Sequence, residues 1–318
     1  MSDEHTTPHQ AASLRARVNT HLRLGRVSNL PTVWSNVLAA AVISGGLLSA
    51  SSLASLLIAC SAMYIGGMYL NDALDADIDA LERAERPIPS GMISKSSVLK
   101  WCALWFSLGL CFFLIARAWA PEIPDDLGGA LFAQGLIAPV ALLACIITYN
   151  RFHKNNPFGP ALMASCRALV YLSVGYTLVL DPPLALWIGA ILAFVWIMAL
   201  TSLAKRESRA LAGHTSSLPD WPLALLAIPI VVTLTMMPRI TLLAVAVTAT
   251  LVLVIVLARR WMRSGDGSGF ARAIGLLIAG VALVDALAIV RSGGVLFTLV
   301  AVLLAGLTVI LQRHISGT

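Results

Sequence analysis

Residues 52–91 read SLASLLIACSAMYIGGMYLNDALDADIDALERAERPIPSG, an apolar segment that runs directly into an acidic one. The apolar part is about 20 residues long, the length of helix that crosses a hydrocarbon core of about 30 Å. Charged side chains this close to a bilayer are tolerated when they face a hydrated, protein-lined cavity and find a partner. The stretch therefore predicts a membrane helix with a cation site at its end, and Pro87, Pro89 and Gly91 are expected to end that helix.

The composition of the whole chain is typical of an integral membrane protein. Hydrophobic residues make up 58% of its 318 positions and charged residues 12%, whereas soluble domains contain about 45–50% and about 25%. Ten apolar runs lie at about 30–48, 52–73, 97–119, 128–149, 160–179, 182–203, 220–237, 239–258, 272–290 and 293–312. Most of them are long enough to span a bilayer, so we expect an all-α, polytopic transmembrane helical bundle of nine to ten spans.

The distribution of basic residues predicts the orientation of these spans. Eighteen of the 22 lysines and arginines lie in the two tails and the even-numbered loops. By the positive-inside rule, both termini and the acidic segment are expected on the cytoplasmic side of the cytoplasmic (inner) membrane. Residues 1–29 are polar and have no apolar core, which favours a cytoplasmic N-terminal tail over a cleaved secretory signal.

The composition supports neither a nucleic-acid-binding protein nor a protein held together by disulfides or zinc. The net charge of +6 comes mainly from loops that suit anionic lipids, so we expect membrane lipids as partners and no nucleic acid. The five cysteines lie in apolar segments and form no CxxC pair. This pattern predicts neither a disulfide framework nor a zinc site.

The acidic segment places its polar side chains on one face of a helix. At 100° per residue, Asp72, Asp75 and Asp79 lie within about 60° of one another. Asn71 shares this face, whereas Asp77 points away from it. Carboxylates that converge repel one another unless a cation binds, and Mg²⁺ would keep positions open for phosphate oxygens. The face thus predicts a diphosphate site, although a solvated helix end with alternating acids would show the same pattern.

Basic residues near the acidic face are candidate phosphate ligands. Arg83, Arg86 and Lys95 follow it within one loop, and guanidinium groups bind phosphate oxygens in a forked geometry. The positive-inside bias alone would also place bases here, but the position of Arg86 beside a proline favours function. Lys154, after the fourth apolar run, is either a phosphate ligand or an ordinary snorkelling lysine.

Arg167 lies inside the fifth apolar run, so the preference for basic residues in cytoplasmic loops cannot explain its position. A buried arginine needs a partner or a cavity. It could bind a diphosphate, contact a substrate carbonyl or pair with an internal carboxylate such as Asp285. Asn36 and Tyr171 are weaker candidates, because an intramembrane asparagine more often bonds a neighbouring helix than a ligand.

Several of these motifs together resemble the UbiA superfamily of intramembrane prenyltransferases. The residues Asn71-Asp72-x-x-Asp75-x-x-x-Asp79 agree in full with that family's first aspartate-rich motif, NDxxDxxxD, and RPIPSG resembles its usual continuation. LPTVWSNVLAA at 30–40, residues 149–154 and the region of Arg167 are also similar in character and order. The resemblance identifies residues 30–314 as a single UbiA-like transmembrane prenyltransferase domain.

The resemblance implies a helical bundle around a central, lipid-accessible cavity in which Mg²⁺ on the aspartate motif holds an isoprenyl diphosphate. The allylic C–O bond would ionise, and the carbocation would alkylate an acceptor in a chamber that excludes water. Asp72, Asp75 and Asp79 would be the catalytic residues and, with Asn71, the metal ligands. The candidate substrate-binding residues are Asn71, Arg86, Lys154, Arg167, Lys205 and Arg206.

The second aspartate-rich motif of the family, after the sixth span, is altered here. That place reads ALTSLAKRESRA at 199–210, and its only acid is Glu207. Glu207 is therefore the candidate ligand for a second metal ion, while Lys205 and Arg206 could neutralise the diphosphate in place of that ion. The altered segment resembles the EboC-like branch, which keeps the first motif and has an AKRE-type second one, and this implies an unidentified acceptor.

The sequence thus predicts Mg²⁺-dependent transfer of an isoprenyl chain from its diphosphate to a lipophilic or aromatic acceptor within the membrane. The alternative is a non-catalytic prenyl-lipid carrier or transporter that kept the cavity and one metal site. The altered second motif favours this alternative. The lack of paired spans broken by glycine or proline, which mark midplane transport sites, speaks against it.

Overall fold

The computed structural model describes residues 17–45, 48–121, 123, 128–154, 156–211, 221–237, 239–263 and 267–315. Within these ranges the chain is helical and contains no β-strand, which confirms the predicted all-α class. The helices are α1 (17–24), α2 (Leu30–Ile43), α3 (Ala50–Glu82), α4 (Lys95–Ala118), α5 (Gly129–Gln134), α6 (Ile137–Phe152), α7 (Gly159–Leu178), α8 (Leu184–Leu211), α9 (Trp221–Leu225), α10 (Ile228–Thr235), α11 (Leu242–Arg263), α12 (Gly267–Arg291) and α13 (Val295–Gln312). A 3-10 turn, Val27–Asn29, joins α1 to α2.

Eight helices in the described part of the chain are long and apolar enough to cross a membrane. The first and seventh predicted runs form the shorter apolar helices Val27–Ile43 and Trp221–Thr235. The second of these is interrupted because Pro229, in the first turn of α10, cannot continue a preceding helix. All ten predicted runs are therefore helical, but only eight have the length of a full span.

Helix α12 lies at the centre of the bundle, and α4 and α13 lie at its edge. Within the apolar window of α12, 83% of the residues are buried, against 22% in α4 and in α13. Helix α12 packs against α2, α8, α11 and α13, and α2 in turn contacts α3 and α7. The exposed apolar faces of the outer helices are thus available to lipid.

Glycines allow close approaches between these helices. A Cβ atom added to Gly66 of α3 would lie 2.8 Å from the ring of Phe106 in α4. A Cβ atom on Gly280 of α12 would lie 2.7 Å from the indole of Trp196 in α8, which donates a hydrogen bond to the Leu277 carbonyl at 3.1 Å. Small residues at such contacts are the usual means by which membrane helices pack.

Helix α3 is one continuous helix of 33 residues that contains both the second span and the acidic face. Its length is about 50 Å at 1.5 Å per residue, which exceeds the hydrocarbon core. The prediction that the prolines end this helix was wrong: α3 ends at Glu82, and Arg83 already has non-helical dihedral angles. Residues 83–93 form turns instead, and Gly91 takes the left-handed conformation, with φ 77°.

The described part of the predicted N-terminal tail packs on the bundle. His21 of α1 lies 2.6 Å from the Tyr69 hydroxyl of α3, and its ring contacts Trp101 of α4 edge-on. The domain boundary at residue 30 stays a prediction, as does the cytoplasmic orientation of both termini. Residues 17–29 nevertheless take part in the same packed unit as the spans.

Candidate functional site

The acidic face of α3 is buried as one unit. Asn71, Asp72, Asp75 and Asp79 are each less than 10% exposed. The side chain of Asp77, which the helical spacing directs away from this face, is 88% exposed. The helix thus separates four buried oxygen-bearing side chains from one solvated carboxylate, as the sequence predicts.

Two arginines from different segments neutralise one half of this face. Arg86 lies 2.7 Å from Asp79 Oδ2 and 3.5 Å from Asp72 Oδ1. Arg26 lies 3.4 Å from Asp72 Oδ1 and donates a hydrogen bond of 3.1 Å to Asn71 Oδ1. Arg26 occupies the turn between α1 and α2 in the left-handed conformation, with φ 42°, which is unusual for a residue with a side chain.

The C-terminal end of α6 neutralises the other half. Lys154 Nζ lies 2.8 Å from Asp75 Oδ1, and His153 Nε2 lies 3.8 Å from Asp75 Oδ2. Asn71 donates a hydrogen bond to Asp75 Oδ2 at 3.3 Å. Every aspartate of the buried face therefore has a basic partner: Arg86 follows Asp79 by seven residues, whereas Arg26 and Lys154 reach Asp72 and Asp75 from distant parts of the sequence.

These contacts determine how far the side chains fit the predicted Mg²⁺. Among the described residues, no three His, Cys, Asp or Glu side chains lie close enough together to share one metal ion. The donor set itself suits Mg²⁺, because three carboxylates and an amide oxygen on one helix face are hard oxygen ligands. The metal site stays a prediction, and in the structure both carboxylate oxygens of Asp75 already contact Lys154, His153 or Asn71.

A cavity of about 470 Å³ opens beside the acidic face. Its polar lining includes six bases and five uncharged polar residues: Arg26, Arg83, Arg86, His153, Arg167 and Lys205, and Asn29, Tyr64, Tyr149, Asn150 and Thr201. The apolar lining includes Val33, Met63, Leu142, Ile146, Met163, Val170, Ile197, Leu200, Ile274, Ile278 and Val281. The aspartates lie behind this basic layer, so the space combines a cationic end with an apolar interior.

Arg167 lines the same cavity and belongs to a buried polar network. It donates hydrogen bonds to the Thr32 carbonyl at 3.1 Å and to Asn36 Oδ1 at 2.6 Å. Asn36 in turn donates to both oxygens of Asp285 at 2.8 Å. The predicted pairing of Arg167 with Asp285 is thus indirect, and Asn36 connects neighbouring helices, as expected of an intramembrane asparagine.

The altered second motif is described only in part. Lys205 lines the cavity and donates a hydrogen bond of 2.6 Å to the Asn156 carbonyl in the loop between α6 and α7. The backbone of Arg206 and Glu207 continues α8, but the side chains of these two residues lie outside the described part of the structure. Their predicted roles at the diphosphate and at a second metal ion stay predictions.

Two residues that the sequence did not single out contribute to the site. Arg26 is one of the basic residues of the N-terminal tail, and His153 is a histidine that directly follows α6. Arg26 lies only four residues before the first apolar run, and His153 directly precedes Lys154. These positions in the sequence are the signals that could have identified the two residues as part of the site. The turn that directs Arg26 toward α3 has no evident sequence pattern.

Fold and site together define a polytopic helical membrane protein with an acid–base cluster at the mouth of a largely apolar cavity. Residues 29–267 match the UbiA prenyltransferase family, and the chain belongs to this family. The predicted resemblance is confirmed at this level. The narrower resemblance to the EboC-like branch stays a prediction.

Curated relatives match parts of the chain. A digeranylgeranylglyceryl phosphate synthase of Methanoregula boonei is 31% identical over 112 residues, 34% of each chain. The synthase of the same name from Natronomonas pharaonis is 29% identical over 160 residues, 50% of this chain and 52% of its own. The chain thus spans about a third to about a half of the length of these relatives.

Solved structures resemble the fold over most of the chain. A UbiA homologue from Aeropyrum pernix K1 in its apo form has a TM-score of 0.59 at 17% identity, over 81% of this chain and 97% of its own. A UbiA homologue from Archaeoglobus fulgidus bound to GPP and Mg²⁺ has a TM-score of 0.56 at 17% identity, over 87% and 99%. At these identities the likeness shows the shared helical membrane fold.

Proposed function

We propose that the protein is a Mg²⁺-dependent prenyltransferase that moves an isoprenyl chain from its diphosphate to a lipophilic or aromatic acceptor within the membrane. The observation that carries this proposal is the cavity, which has bases beside the buried aspartates and a largely apolar wall elsewhere. An isoprenyl diphosphate has the same two-part character, with a compact polyanion attached to a hydrocarbon chain.

The basic lining suits the diphosphate. Arg86 and Arg26 each carry a planar fork of donors that fits phosphate oxygens. Lys154 and Lys205 can add point charges, because the first already reaches the acidic face and the second lines the cavity. An arriving polyanion would compete with the aspartates for Arg86, Arg26 and Lys154, and the aspartates would then become available as metal ligands.

The residues that would hold Mg²⁺ are Asn71, Asp72, Asp75 and Asp79, with Glu207 as the candidate ligand of a second ion. When bound there, Mg²⁺ would neutralise the charge that develops on the leaving diphosphate. The Archaeoglobus homologue bound to GPP and Mg²⁺ supports this assignment at the level of the family. The relatives that are named as digeranylgeranylglyceryl phosphate synthases support a lipid product.

The chain's own side chains account for the rest of the chemistry. The allylic C–O bond breaks with its electron pair on the diphosphate, where Arg86 and Arg26 balance the new charge. The apolar wall, which includes Met63, Ile146 and Ile197, excludes water that would otherwise capture the allylic cation. The acceptor then supplies the electron pair for the new bond and loses a proton, so the polar products are diphosphate and one proton.

The test is a comparison of aspartates on one helix. We expect Asp72→Ala and Asp75→Asn to lower Mg²⁺-dependent diphosphate release by at least 100-fold, because each removes a carboxylate ligand. Asp77→Asn is the matched control, since its side chain is exposed on the same helix. Glu207→Gln is expected to cost less than Asp75→Asn, because the first motif alone holds the proposed primary site.

The assay uses the purified full chain in nanodiscs with a panel of isoprenyl diphosphates, and mass spectrometry identifies prenylated lipids. Full turnover by Asp75→Asn would refute the proposed metal site. Binding of the diphosphates without release, under every condition with Mg²⁺, would instead support a prenyl-lipid carrier. A greater loss in Glu207→Gln than in Asp75→Asn would show that Glu207 completes an essential second site.

A further inference from the structure

Two cysteines from different helices meet at the wall of the cavity. Cys145 lies in α6 and Cys166 in α7, and these two helices pack against each other. The Cys166 thiol donates a hydrogen bond of 3.5 Å to Cys145 Sγ. Both residues are free thiols in the structure. They lie 21 residues apart in the sequence, so the pair results from the packing of the helices and not from a CxxC spacing.

A second contact holds Cys145 against α7. Its thiol donates a hydrogen bond of 3.6 Å to the Leu162 carbonyl. Leu162 and Cys166 are four residues apart, which is about one helical turn. Cys145 therefore lies over a single turn of α7. The neighbouring residues Leu142 of α6 and Ala164 of α7 are buried, so the packing of the two helices brings the sulfur atoms together.

The distance between the sulfur atoms is short enough for a disulfide to form after a small movement. The S–S bond of a disulfide is about 2.05 Å long. The two sulfur atoms would thus need to approach each other by about 1.5 Å from their present contact. Rotation of the two side chains about their Cα–Cβ bonds moves the sulfur atoms over distances of this order.

The two thiols differ in their access to the cavity. Cys166 lines it together with Met163 and Val170 of the same helix. Cys145 is not among the described residues that line the cavity. A reagent that enters this space would therefore meet Cys166 first, and the largely apolar wall favours a reagent that is itself apolar.

We propose that Cys166 and Cys145 form an oxidation site for an apolar organic hydroperoxide of the lipid phase. The Cys166 sulfur attacks one peroxide oxygen, the O–O bond breaks, and the leaving alkoxide takes up the thiol proton. The products of this step are an alcohol and a sulfenic acid on Cys166. The Cys145 sulfur then attacks the Cys166 sulfur, an S–S bond forms, and hydroxide leaves with the second thiol proton as water. The peroxide gains the two electrons that the two thiols lose.

This inference stands apart from the proposed prenyl transfer, because the reaction needs only the two thiols and the hydroperoxide. An accessible sulfur with a second, resolving thiol beside it is the usual arrangement of a redox-sensitive site. The disulfide would connect α6 covalently to α7 at the wall of the cavity.

The experiment treats the reduced full chain, in nanodiscs of saturated phosphatidylcholine, with cumene hydroperoxide. Remaining thiols are then blocked with N-ethylmaleimide, and mass spectrometry of proteolytic peptides locates the disulfides. We expect a peptide pair that links Cys145 to Cys166 and about one equivalent of 2-phenyl-2-propanol per chain, the stoichiometry of one disulfide. Dithiothreitol should restore both thiols.

Three variants separate the roles of the two sulfur atoms. Cys145→Ser should stop at the sulfenic acid of Cys166, which dimedone traps. Cys166→Ser should give about 10-fold less trapped product at Cys145, because reactivity follows access and Cys145 does not line the cavity. Cys111→Ser removes an exposed cysteine of α4 and is the matched control, which should still form the disulfide.

Absence of the linked peptide pair in the oxidised wild-type chain would overturn the inference, and this result does not depend on the folding of any variant. Equal trapping at Cys145 and Cys166 in the two single variants would overturn the assigned order of attack. Failure of the proposed function has a different signature: the reduced wild-type chain would release no diphosphate from geranyl diphosphate with any acceptor.

Discussion

At the scale of single residues, the acidic face is held together by bases from three segments of the chain. Three aspartates on one buried helix face would repel one another without cations. Arg26, Arg86 and Lys154 supply these cations in the structure. The same bases border the cavity or the acidic face, so in the proposed function phosphate oxygens would compete with the aspartates for their N–H donors.

The contribution of Arg26 can be tested in isolation. Arg26→Gln removes a guanidinium that contacts both Asn71 and Asp72, and we expect it to weaken the binding of geranyl thiodiphosphate about 10-fold, because a charge-assisted hydrogen bond is worth about 1.5–3 kcal/mol. Arg23→Gln, three residues earlier and exposed, should bind as tightly as the wild-type chain. Isothermal titration with Mg²⁺ present measures both affinities, and an equal loss in the two variants would show a general charge effect rather than a contact.

The sequence predicts those parts of the site that depend on local geometry. Helical spacing alone places Asn71, Asp72 and Asp79 on one face, and the burial of that face agrees. The partners of the face could not be predicted in the same way, because the contact of Arg26 with Asp72 depends on a left-handed turn and on the packing of α2 against α3. The indirect link from Arg167 to Asp285 depends likewise on how three distant helices meet.

At the scale of helices, the bundle depends on a central helix that is buried almost throughout. Long apolar runs predicted the helices themselves, because a backbone inside lipid must satisfy its own hydrogen bonds. The exact ends were less predictable: α3 stops before its prolines, and Pro229 divides the seventh run. Hydropathy also cannot distinguish α12, which is mostly buried, from α13, which faces lipid.

The close contact of α12 with α8 provides a test of this arrangement. Gly280→Ala would place a methyl group 2.7 Å from the Trp196 ring, and we expect a loss of about 1–3 kcal/mol from overpacking. Gly306→Ala is the matched control on α13, where nothing lies within 4 Å of the added atom. Thermal unfolding in detergent should show a lower melting temperature for the first variant and an equal or higher one for the second, since alanine favours helix over glycine. The reverse order would contradict the packing of α8 on α12.

At the scale of the whole molecule, the chain is a multi-pass membrane protein of the UbiA prenyltransferase family. The bases that border the cavity, the acidic end of α3 and the loop after α6 lie together in space. The positive-inside rule predicts that this end faces the cytoplasm, where soluble diphosphates would reach it.

The orientation prediction can be tested with single introduced cysteines. Ser96 follows the acidic end of the bundle and Asp181 lies in the loop between α7 and α8, and both are exposed. In intact cells, a membrane-impermeant maleimide should label Asp181→Cys at once, whereas Ser96→Cys should react only after permeabilisation. The wild-type chain, whose five cysteines lie in apolar segments, is the control for background labelling. Immediate labelling of Ser96→Cys alone would reverse the predicted topology.

The continuity of α3 also bears on the length of isoprenoid that fits the protein. Asp72, Met63 and Cys60 belong to one unbroken helix, and the last two line the cavity. Met63 lies about 14 Å and Cys60 about 18 Å from Asp72 along the axis, at 1.5 Å per residue. Each helical turn between the aspartates and these positions corresponds to a fixed depth, so under the proposed function we expect a larger side chain at position 63 to shorten the hydrocarbon that can be accommodated and a smaller one to lengthen it.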